Sequence, residues 1–463
     1  MVERGQAPQL EVHEQVKLDP SLPAAQAALL DSLRAANLAF VALHPGDPPR
    51  RQPVHVVYGG GHLFRADTAA KLGEVARRAL TEYAPDPAAL DQALGLGALA
   101  EPVYARVVEK LAREPVEDFR IDFEDGYGTR PDADEDRDVA NAAREVAKGH
   151  AAGTLPEFIG IRIKPLTEEL RGRSVRTLRI FLGNLLEGAG ELPANLVLTL
   201  PKVTVPEQVG VFAGLLAGLE HELGLDEGVL RFEVMVETPQ LIMGADGRSA
   251  LPALIPAAKG RLQAAHFGTY DYTASMGITA AHQRMRHPVC EHAKLVMQAA
   301  YAGTGVWLSD GSTAILPVPV HGAREGGSLT AAQRAENRAG VHAAWRLHAA
   351  DVRHSLAGGF YQGWDLHPAQ LVSRYAALFE FFLQGLDAAG ERLRNFVAKA
   401  AQATLVGDVF DDAATGQGLL NYFLRAVQTG AVTEARAVEM SGLTVDEIRG
   451  RSFVAILKNR GRV

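Results

Sequence analysis

The stretch Phe232-Glu-Val-Met-Val-Glu-Thr-Pro239 is a short, mostly apolar run that ends in a carboxylate and a proline. Near-continuous apolar runs of this length are typical of parallel strands that are covered on both faces. Similar runs recur along the chain, with amphipathic stretches of helical periodicity between them. The predicted strands cover residues 54–58, 119–123, 159–163, 196–200, 232–236, 264–268, 305–309 and 359–363. Eight alternating strand and helix units predict an α/β protein built as a closed (β/α)8 TIM barrel.

The intervals between the predicted strands divide the chain into a barrel and its additions. Residues 1–50 are interpreted as an N-terminal extension packed on the barrel, and residues 51–385 as the catalytic barrel. Two intervals, near 71–113 and 310–358, exceed what one strand–helix unit requires and are interpreted as insertions. Residues 386–463 have a helical pattern throughout, which predicts an additional C-terminal helical region acting as a lid or in oligomerisation.

Composition limits the classes of function. The chain has 463 residues and a formal net charge of −8, which disfavours a surface devoted to nucleic-acid phosphates. A single cysteine, Cys290, excludes an intramolecular disulfide and a metal site built from cysteines. The sequence has neither a long apolar run nor a signal-peptide pattern at its start. We therefore expect a cytoplasmic protein with neither a nucleic acid nor a membrane as its partner.

Charged side chains follow the predicted strands, at the end of the barrel where TIM-barrel active sites lie. Several charges around one rim are costly unless they pair or bind an ion. The candidates are Glu124 and Asp125 after the second strand, Arg162 in the third, Lys202 after the fourth, Glu237 after the fifth, Asp271 after the sixth, and Asp365, His367 and Gln370 after the eighth.

A hard divalent cation would compensate these carboxylates. Mg²⁺ takes oxygen ligands and usually binds one or two protein carboxylates together with water and substrate oxygens. Glu237 and Asp271 follow neighbouring strands and are the predicted ligands, with Mn²⁺ as the alternative ion. Taken singly, each carboxylate is better explained as a strand-end cap or an ion-pair partner, so the metal prediction depends on the pattern across strands.

Three consecutive glycines, Gly59, Gly60 and Gly61, follow the first strand. Backbone amides without side chains can approach a substrate carboxylate or phosphate closely, which makes these residues candidates for substrate binding. A flexible turn explains the same three residues equally well.

Six motifs of this chain, in the order in which they occur, resemble those of a known family. Over residues 54–375 or so, the chain resembles the HpcH/HpaI aldolase and citrate lyase β-subunit superfamily, whose relatives include malyl-CoA and citramalyl-CoA lyases. The order of the motifs, rather than any one of them, makes the resemblance specific. They are Asp122-Phe-Glu-Asp, Ile161-Arg-Ile-Lys-Pro, Leu200-Pro-Lys-Val, Val236-Glu-Thr-Pro, Phe267-Gly-Thr-Tyr-Asp-Tyr and Leu366-His-Pro-Ala-Gln.

The resemblance implies a barrel of the pyruvate/phosphoenolpyruvate class and a Mg²⁺-dependent carbon–carbon lyase or aldolase. The substrate would be a hydroxy acid or its CoA thioester, cleaved through a metal-stabilised enolate of a 2-oxo acid or acyl group. Glu237 and Asp271 would hold the metal, and Arg162 would meet the oxygen on which enolate charge develops. Glu124 and Asp125 would orient that arginine or metal-bound waters. Oligomers are common among similar proteins, so we expect a homo-oligomer.

The chain also departs from this family. An Arg-Ser-containing first strand is common there, whereas this chain has the three glycines, and the insertions and both terminal regions exceed the compact family core. These departures leave the substrate open, including whether it carries coenzyme A. A run of basic residues follows the third strand and could bind a coenzyme A phosphate or form a solvated helix face. These residues are Arg171, Arg173, Arg176 and Arg179.

The general base and the class of chemistry also stay open. Candidates for the base are a metal-bound hydroxide, His367, or an acid of the C-terminal region among Asp408, Asp411 and Asp412. A second class of enzyme would use Lys202 as a Schiff-base nucleophile, which requires a depressed pKa of the amine. A third interpretation is a non-catalytic barrel that binds an oxo acid.

Overall fold

The computed structural model describes residues 23–46, 48, 50–323, 327–398, 404–406, 409–411, 413–450 and 452–460. The chain forms two compact units, residues 1–48 with 302–305, and residues 49–301 with 306–463. Within the described part of the smaller unit, helix α1 (Ala24–Leu43) leads to a turn in which the Gly46 N–H donates to the Gly303 carbonyl at 2.7 Å. No described helix is long and apolar enough to cross a membrane.

The larger unit contains a closed barrel of eight parallel strands. Each strand pairs with the next in sequence, and β8 pairs with β1 to close the barrel. The predicted TIM barrel is confirmed, and each predicted strand overlaps an observed one. The strands are β1 (His55–Gly60), β2 (Asp118–Asp122), β3 (Phe158–Arg162), β4 (Leu196–Leu200), β5 (Arg231–Val236), β6 (Leu262–Phe267), β7 (Trp307–Ser312) and β8 (Gln362–Asp365).

Helices connect the strands and flank the barrel. Local sequence sets several of their ends: the Asp86 carboxylate accepts the Ala89 N–H at 2.8 Å where α3 begins, and Thr330 and Gln333 form a capping box at the start of α12. The helices are α2 (Thr68–Tyr83), α3 (Pro87–Leu94), α4 (Ala100–Arg113), α5 (Asp132–Ala152), α6 (Arg171–Ala189), α7 (Pro206–Leu223), α8 (Pro239–Ile242), α9 (Leu251–Ala257), α10 (Thr269–Ser275), α11 (Pro288–Tyr301), α12 (Ala331–Ala357) and α13 (Gln370–Gln384).

The C-terminal region is helical except for one hairpin. The prediction of helix throughout is wrong where β9 and β10 pair antiparallel. Both strands are rich in β-branched and aromatic residues and flank Gly407-Asp408, a dipeptide typical of hairpin turns. The elements are α14 (Leu386–Ala398), β9 (Thr404–Val406), β10 (Val409–Asp411), α15 (Ala413–Gln428), α16 (Glu434–Ser441), α17 (Val445–Arg449) and α18 (Phe453–Asn459).

An ionic network fills part of the barrel interior. Arg120 of β2 donates from Nε and Nη2 to the two carboxylate oxygens of Glu233 on β5, at 2.9 and 2.8 Å. Asp118 pairs with the same arginine, and His266 Nε2 lies 3.1 Å from Glu233. All four side chains are buried. Because β2 and β5 are not neighbours in the barrel, these contacts cross its interior.

Glu117, immediately before β2, is buried among positive charges. Its Oε1 lies 2.6 Å from Lys110 Nζ and 2.5 Å from Arg51 Nη2, and its Oε2 accepts the Val54 N–H at 2.8 Å. Burial raises the pKa of the carboxyl, but the charges of Lys110 and Arg51 lower it by more, to about 2. Glu117 is therefore ionised in the folded protein across the neutral range.

Replacing Glu117 with glutamine should lower the free energy of unfolding at pH 7 by about 3 kcal/mol. Because the folded-state pKa lies below the ordinary value of 4.5, this stabilisation is complete above about pH 4.5 and is lost as the pH falls towards 2. Urea unfolding at pH 7 and pH 3 should show the difference between the two proteins narrowing at pH 3. Glu109→Gln, at an exposed side chain of α4, is the control with little effect. If the stability difference between the wild type and Glu117→Gln did not change with pH, the low pKa assigned to Glu117 would be wrong.

Candidate active site

The rim at the carboxyl ends of the strands gathers the predicted charged residues. Arg162 is the last residue of β3, and Asp271 lies in the first turn of α10. Glu124 and Asp125 follow β2, Lys202 follows β4 and Glu237 follows β5. Ion pairs connect Lys202 with Glu124, Asp125 and Asp271, and Arg162 with Glu124, so residues from separate strand ends form one cluster.

Arg162 is buried and held in a fixed orientation. Its Nε and Nη2 donate to the two carboxylate oxygens of Asp122 at 2.7 and 2.5 Å, and such parallel bonds fix the guanidinium plane. Burial lowers the pKa of Arg162, but the Asp122 carboxylate raises it by more, to well above the ordinary value. The third nitrogen, Nη1, lies 3.2 Å from Glu124 Oε2 and makes no hydrogen bond within the described residues.

Lys202 joins the carboxylates of the rim through both its backbone and its side chain. Its φ is +49°, in the left-handed region that is uncommon for residues other than glycine. Its N–H donates to Glu237 Oε1 at 2.7 Å, and its Nζ contacts Glu124, Asp125 Oδ2 at 3.0 Å and Asp271 Oδ2 at 3.4 Å. Burial lowers the pKa of the amine, but the charges of Glu237 and Glu124 raise it above its ordinary value. A Schiff-base nucleophile requires the opposite shift.

Glu237 is the most enclosed carboxylate of this cluster, with 1% of its surface exposed. Burial raises its pKa to about 8, although the nearby Lys202 charge lowers it. Gly268 provides the space for its side chain, because an added Cβ there would lie 2.4 Å from Glu237 Oε2. Asp271 is more open, with 40% of its side chain exposed. One ligand candidate is therefore buried and the other faces the opening.

The donor set fits a hard cation. Among the described residues, no group of three or more His, Cys, Asp or Glu side chains could hold a metal ion. Mg²⁺ and Mn²⁺ need fewer protein ligands when water and substrate oxygens complete the shell. Glu237 and Asp271 offer only oxygen, and both contact Lys202, whose ammonium marks a position where the carboxylates favour positive charge.

Gly59 and Gly60 end β1 and Gly61 follows it, and all three are packed closely against the neighbouring strand β2 and its loop. These contacts explain why glycine occupies each position without invoking a flexible turn, and substrate binding by their amides stays a prediction. An added Cβ would lie 2.7 Å from the Phe119 ring at Gly59, 2.6 Å from the Gly126 carbonyl oxygen at Gly60, and 2.3 Å from the Phe123 ring at Gly61.

Asp365 does not lie at the rim, so the prediction that placed it there is wrong. Its carboxylate accepts Arg374 Nη2 at 2.7 Å and lies 3.0 Å from His348 Nε2 and 3.2 Å from His55 Nδ1, all buried. Successive residues of a strand point to opposite faces, and Trp364 takes the interior position. Asp365 consequently faces the helices outside the barrel.

His367 lies in the loop after β8, and its hydrogen bonds stay within that loop. The ring Nδ1 accepts the Ala369 N–H at 3.1 Å, and the His367 N–H donates to Gln370 Oε1 at 3.1 Å. Burial lowers the pKa of the imidazole. The contacts of His367 therefore give it a role in shaping this loop, and they do not connect it to the carboxylate cluster.

The acids of the C-terminal region give no further candidate for the base within the described structure. Asp408 and Asp412 lie outside the described residues, and of Asp411 only the backbone is described, as the end of β10.

The basic run after β3 is paired with acids along α5, α6 and α7. The helix-face interpretation therefore accounts for all four arginines. The pairs are Arg171 with Glu168, Arg173 and Arg176 with Asp136, and Arg179 with Glu222.

Two aromatic residues at the site were missed by sequence reasoning. The guanidinium carbon of Arg162 lies 4.8 Å from the centre of the Tyr58 ring and 5.5 Å from that of Trp364. The two rings are 4.4 Å apart. Strand alternation alone could not single out Trp364, because the outward orientation of Asp365, which places its neighbour inside the barrel, is seen only in the structure.

The fold and the acidic rim together define a (β/α)8 barrel with its candidate active site at the carboxyl ends of the strands. The chain belongs to the family described as a domain of unknown function, DUF6986, whose model matches residues 33–456. No curated protein matches the chain.

Solved structures show the same kind of fold. A citrate lyase from Burkholderia xenovorans LB400 is 19% identical, with a TM-score of 0.52 over 84% of this chain and 96% of that chain. A malate synthase from Haloferax volcanii in complex with magnesium and glyoxylate is 17% identical, with a TM-score of 0.44 over 86% of this chain and 97% of that chain. The first of these similarities supports the barrel fold.

Proposed function

We propose that the protein is a Mg²⁺-dependent carbon–carbon lyase or aldolase that acts on a hydroxy acid or its CoA thioester. The observation that carries the proposal is a buried arginine, Arg162, whose Nη1 makes no hydrogen bond within the described structure, beside carboxylates that suit a divalent cation. The ordered motifs support the same class, and the structurally similar Burkholderia protein is named a citrate lyase.

Cleavage of a 3-hydroxy acid needs a base and stabilisation of an enolate. The hydroxyl proton leaves to the base, the hydroxyl carbon becomes a carbonyl, and the broken carbon–carbon bond leaves its electron pair on the other fragment as an enolate, which then takes up a proton. A bound Mg²⁺, held by Glu237 and Asp271, would stabilise negative charge on the reacting oxygen. Arg162 Nη1 donates to the same developing charge, and Asp122 keeps the guanidinium in place.

The remaining rim residues act on these groups rather than on the substrate. Lys202 orients Glu237 through its N–H and balances Glu124 and Asp125 through its ammonium. This arrangement favours the metal mechanism over the Schiff-base alternative, because the amine is held protonated by its neighbours. The base is left unassigned between His367, a metal-bound hydroxide and the C-terminal acids.

Calorimetric titration of pyruvate, oxaloacetate and acetyl-CoA, with Mg²⁺ or with EDTA, tests the proposal. We expect an oxo acid to bind only when Mg²⁺ is present. Binding that persists in EDTA would contradict the metal assignment, and borohydride trapping under those conditions would then reveal an imine on Lys202. If neither an oxo acid nor acetyl-CoA binds, the lyase proposal is wrong.

A further inference from the structure

Two buried donor atoms at the rim make no hydrogen bond within the described structure, although one of them, Arg162 Nη1, lies 3.2 Å from Glu124 Oε2. Arg162 Nη1 and Trp364 Nε1 are both buried, and neither has a hydrogen-bond partner within the described part of the chain. Buried polar atoms are nearly always paired, and the indole N–H of a buried tryptophan usually finds an acceptor. Two unpaired donors on neighbouring side chains are therefore explained by a ligand that supplies the acceptors.

Aromatic rings define the shape of the space around these donors. The rings of Tyr58 and Trp364 both face the Arg162 guanidinium, at 4.8 and 5.5 Å from its carbon, and they are inclined to each other by 43°. Both residues are partly exposed, whereas Arg162 is fully buried. The two rings therefore border the opening beside the buried guanidinium.

The charges at the rim determine how such a ligand is oriented. The two rings come from β1 and β8, whereas Glu124, Glu237 and Asp271 come from the ends of β2, β5 and β6. An anion is repelled by the carboxylates unless a cation covers them, and it is attracted by the Arg162 and Trp364 donors. We therefore expect the carboxylate of the ligand to lie near Arg162 and Trp364 rather than near the acidic side chains.

We propose that Trp364 is a substrate-binding residue whose indole N–H donates to the carboxylate of a 2-oxo acid, with the Tyr58 ring packed against the indole. In a 2-oxo acid the carboxylate lies next to the keto oxygen, so the carboxylate can accept the Trp364 N–H while the keto oxygen, where enolate charge develops, accepts from Arg162 Nη1. The fragment held beside Arg162 is then the oxo acid and not the acyl group of a thioester. This inference rests on the proposed function.

The test compares Trp364→Phe, which keeps a ring and removes the N–H, with the matched control Trp307→Phe, which makes the same change at the first residue of β7. Trp307 is buried at the amino end of its strand, opposite the rim, so its replacement should change pyruvate binding less than about 2-fold. We expect Trp364→Phe to weaken pyruvate binding by about 10-fold or more in calorimetry with Mg²⁺, because hydrogen bonds to charged groups are among the stronger ones. Acetyl-CoA binding should not change.

Tryptophan fluorescence provides a second measurement and a check on folding. Pyruvate should change the emission of the wild-type protein, and this change should vanish in Trp364→Phe, because Trp307 and Trp345 are buried and the Trp345 indole N–H already donates to the Ala369 carbonyl. Equal pyruvate affinity in the wild type and Trp364→Phe, with both folded by circular dichroism, overturns the inference and leaves the proposed function standing. Absence of pyruvate binding to the wild type with Mg²⁺ overturns both.

Discussion

Replacing Glu237 with glutamine should lower kcat by about 1,000-fold or more and remove Mg²⁺ binding. Glutamine has nearly the same shape, and its amide oxygen can still accept the Lys202 N–H that now binds Glu237 Oε1 at 2.7 Å. What the variant loses is a carboxyl group that can ionise when a divalent cation binds, because burial raises its pKa to about 8 and only the ionised form is the ligand that the cation requires. Calorimetric titration with Mg²⁺ and single-turnover assays measure the two effects separately.

The matched control for this variant is Glu220→Gln. Glu220 is as buried as Glu237, but it binds Arg261 through both oxygens, at 2.5 Å for Oε1 to Nη1 and 2.7 Å for Oε2 to Nη2, away from the rim. Its replacement should lower the unfolding free energy and leave Mg²⁺ affinity unchanged. If Glu237→Gln binds Mg²⁺ as tightly as the wild type, Glu237 is not a metal ligand.

Replacing Arg162 with lysine should lower kcat by about 100- to 1,000-fold, with a smaller change in KM. Lysine keeps the positive charge but cannot make the two parallel bonds to Asp122 at 2.7 and 2.5 Å while presenting a third nitrogen to the substrate. The lost interaction is strongest where negative charge develops, so the effect falls mainly on kcat. Steady-state kinetics over a range of substrate concentrations separates the two constants.

Arg261→Lys is the control for the stability that is lost when a buried arginine no longer makes two parallel bonds to a carboxylate. This change removes the paired bonds to Glu220 and should lower stability without a comparable loss of kcat. A kcat within a few-fold of the wild type for Arg162→Lys would show that Arg162 acts as a structural ion pair.

The sequence was sufficient to predict the barrel because each strand is a short apolar run that ends at a glycine, a proline or a polar residue. Periodicity could not reveal the hairpin formed by β9 and β10, since three-residue strands are too short to show an alternating pattern. Nor did the sequence reveal which face each residue of a strand occupies. Asp365 was expected at the rim, and only the pairing with Arg374 and His348 shows that it faces outwards.

The candidate site could be predicted in part because a barrel brings all strand ends to one rim. Charged residues such as Lys202 and Glu237 are conspicuous there, since they follow apolar strands. Trp364 and Tyr58 were missed because aromatic residues within strands are ordinarily core residues. The left-handed backbone of Lys202 also has no signal in the sequence, because this conformation is usually occupied by glycine.

The ionic network inside the barrel has a consequence for the order of folding. Arg120 and Glu233 are 113 residues apart, so β2 leaves the ribosome long before the partner on β5 is made. Burying Arg120 before that partner is available would be costly, and closing so long a loop carries its own entropic cost. A half-barrel ending after β4 would leave this arginine with Asp118 alone, without its two bonds to Glu233. Barrel closure is therefore a late and concerted step in which distant segments must assemble together.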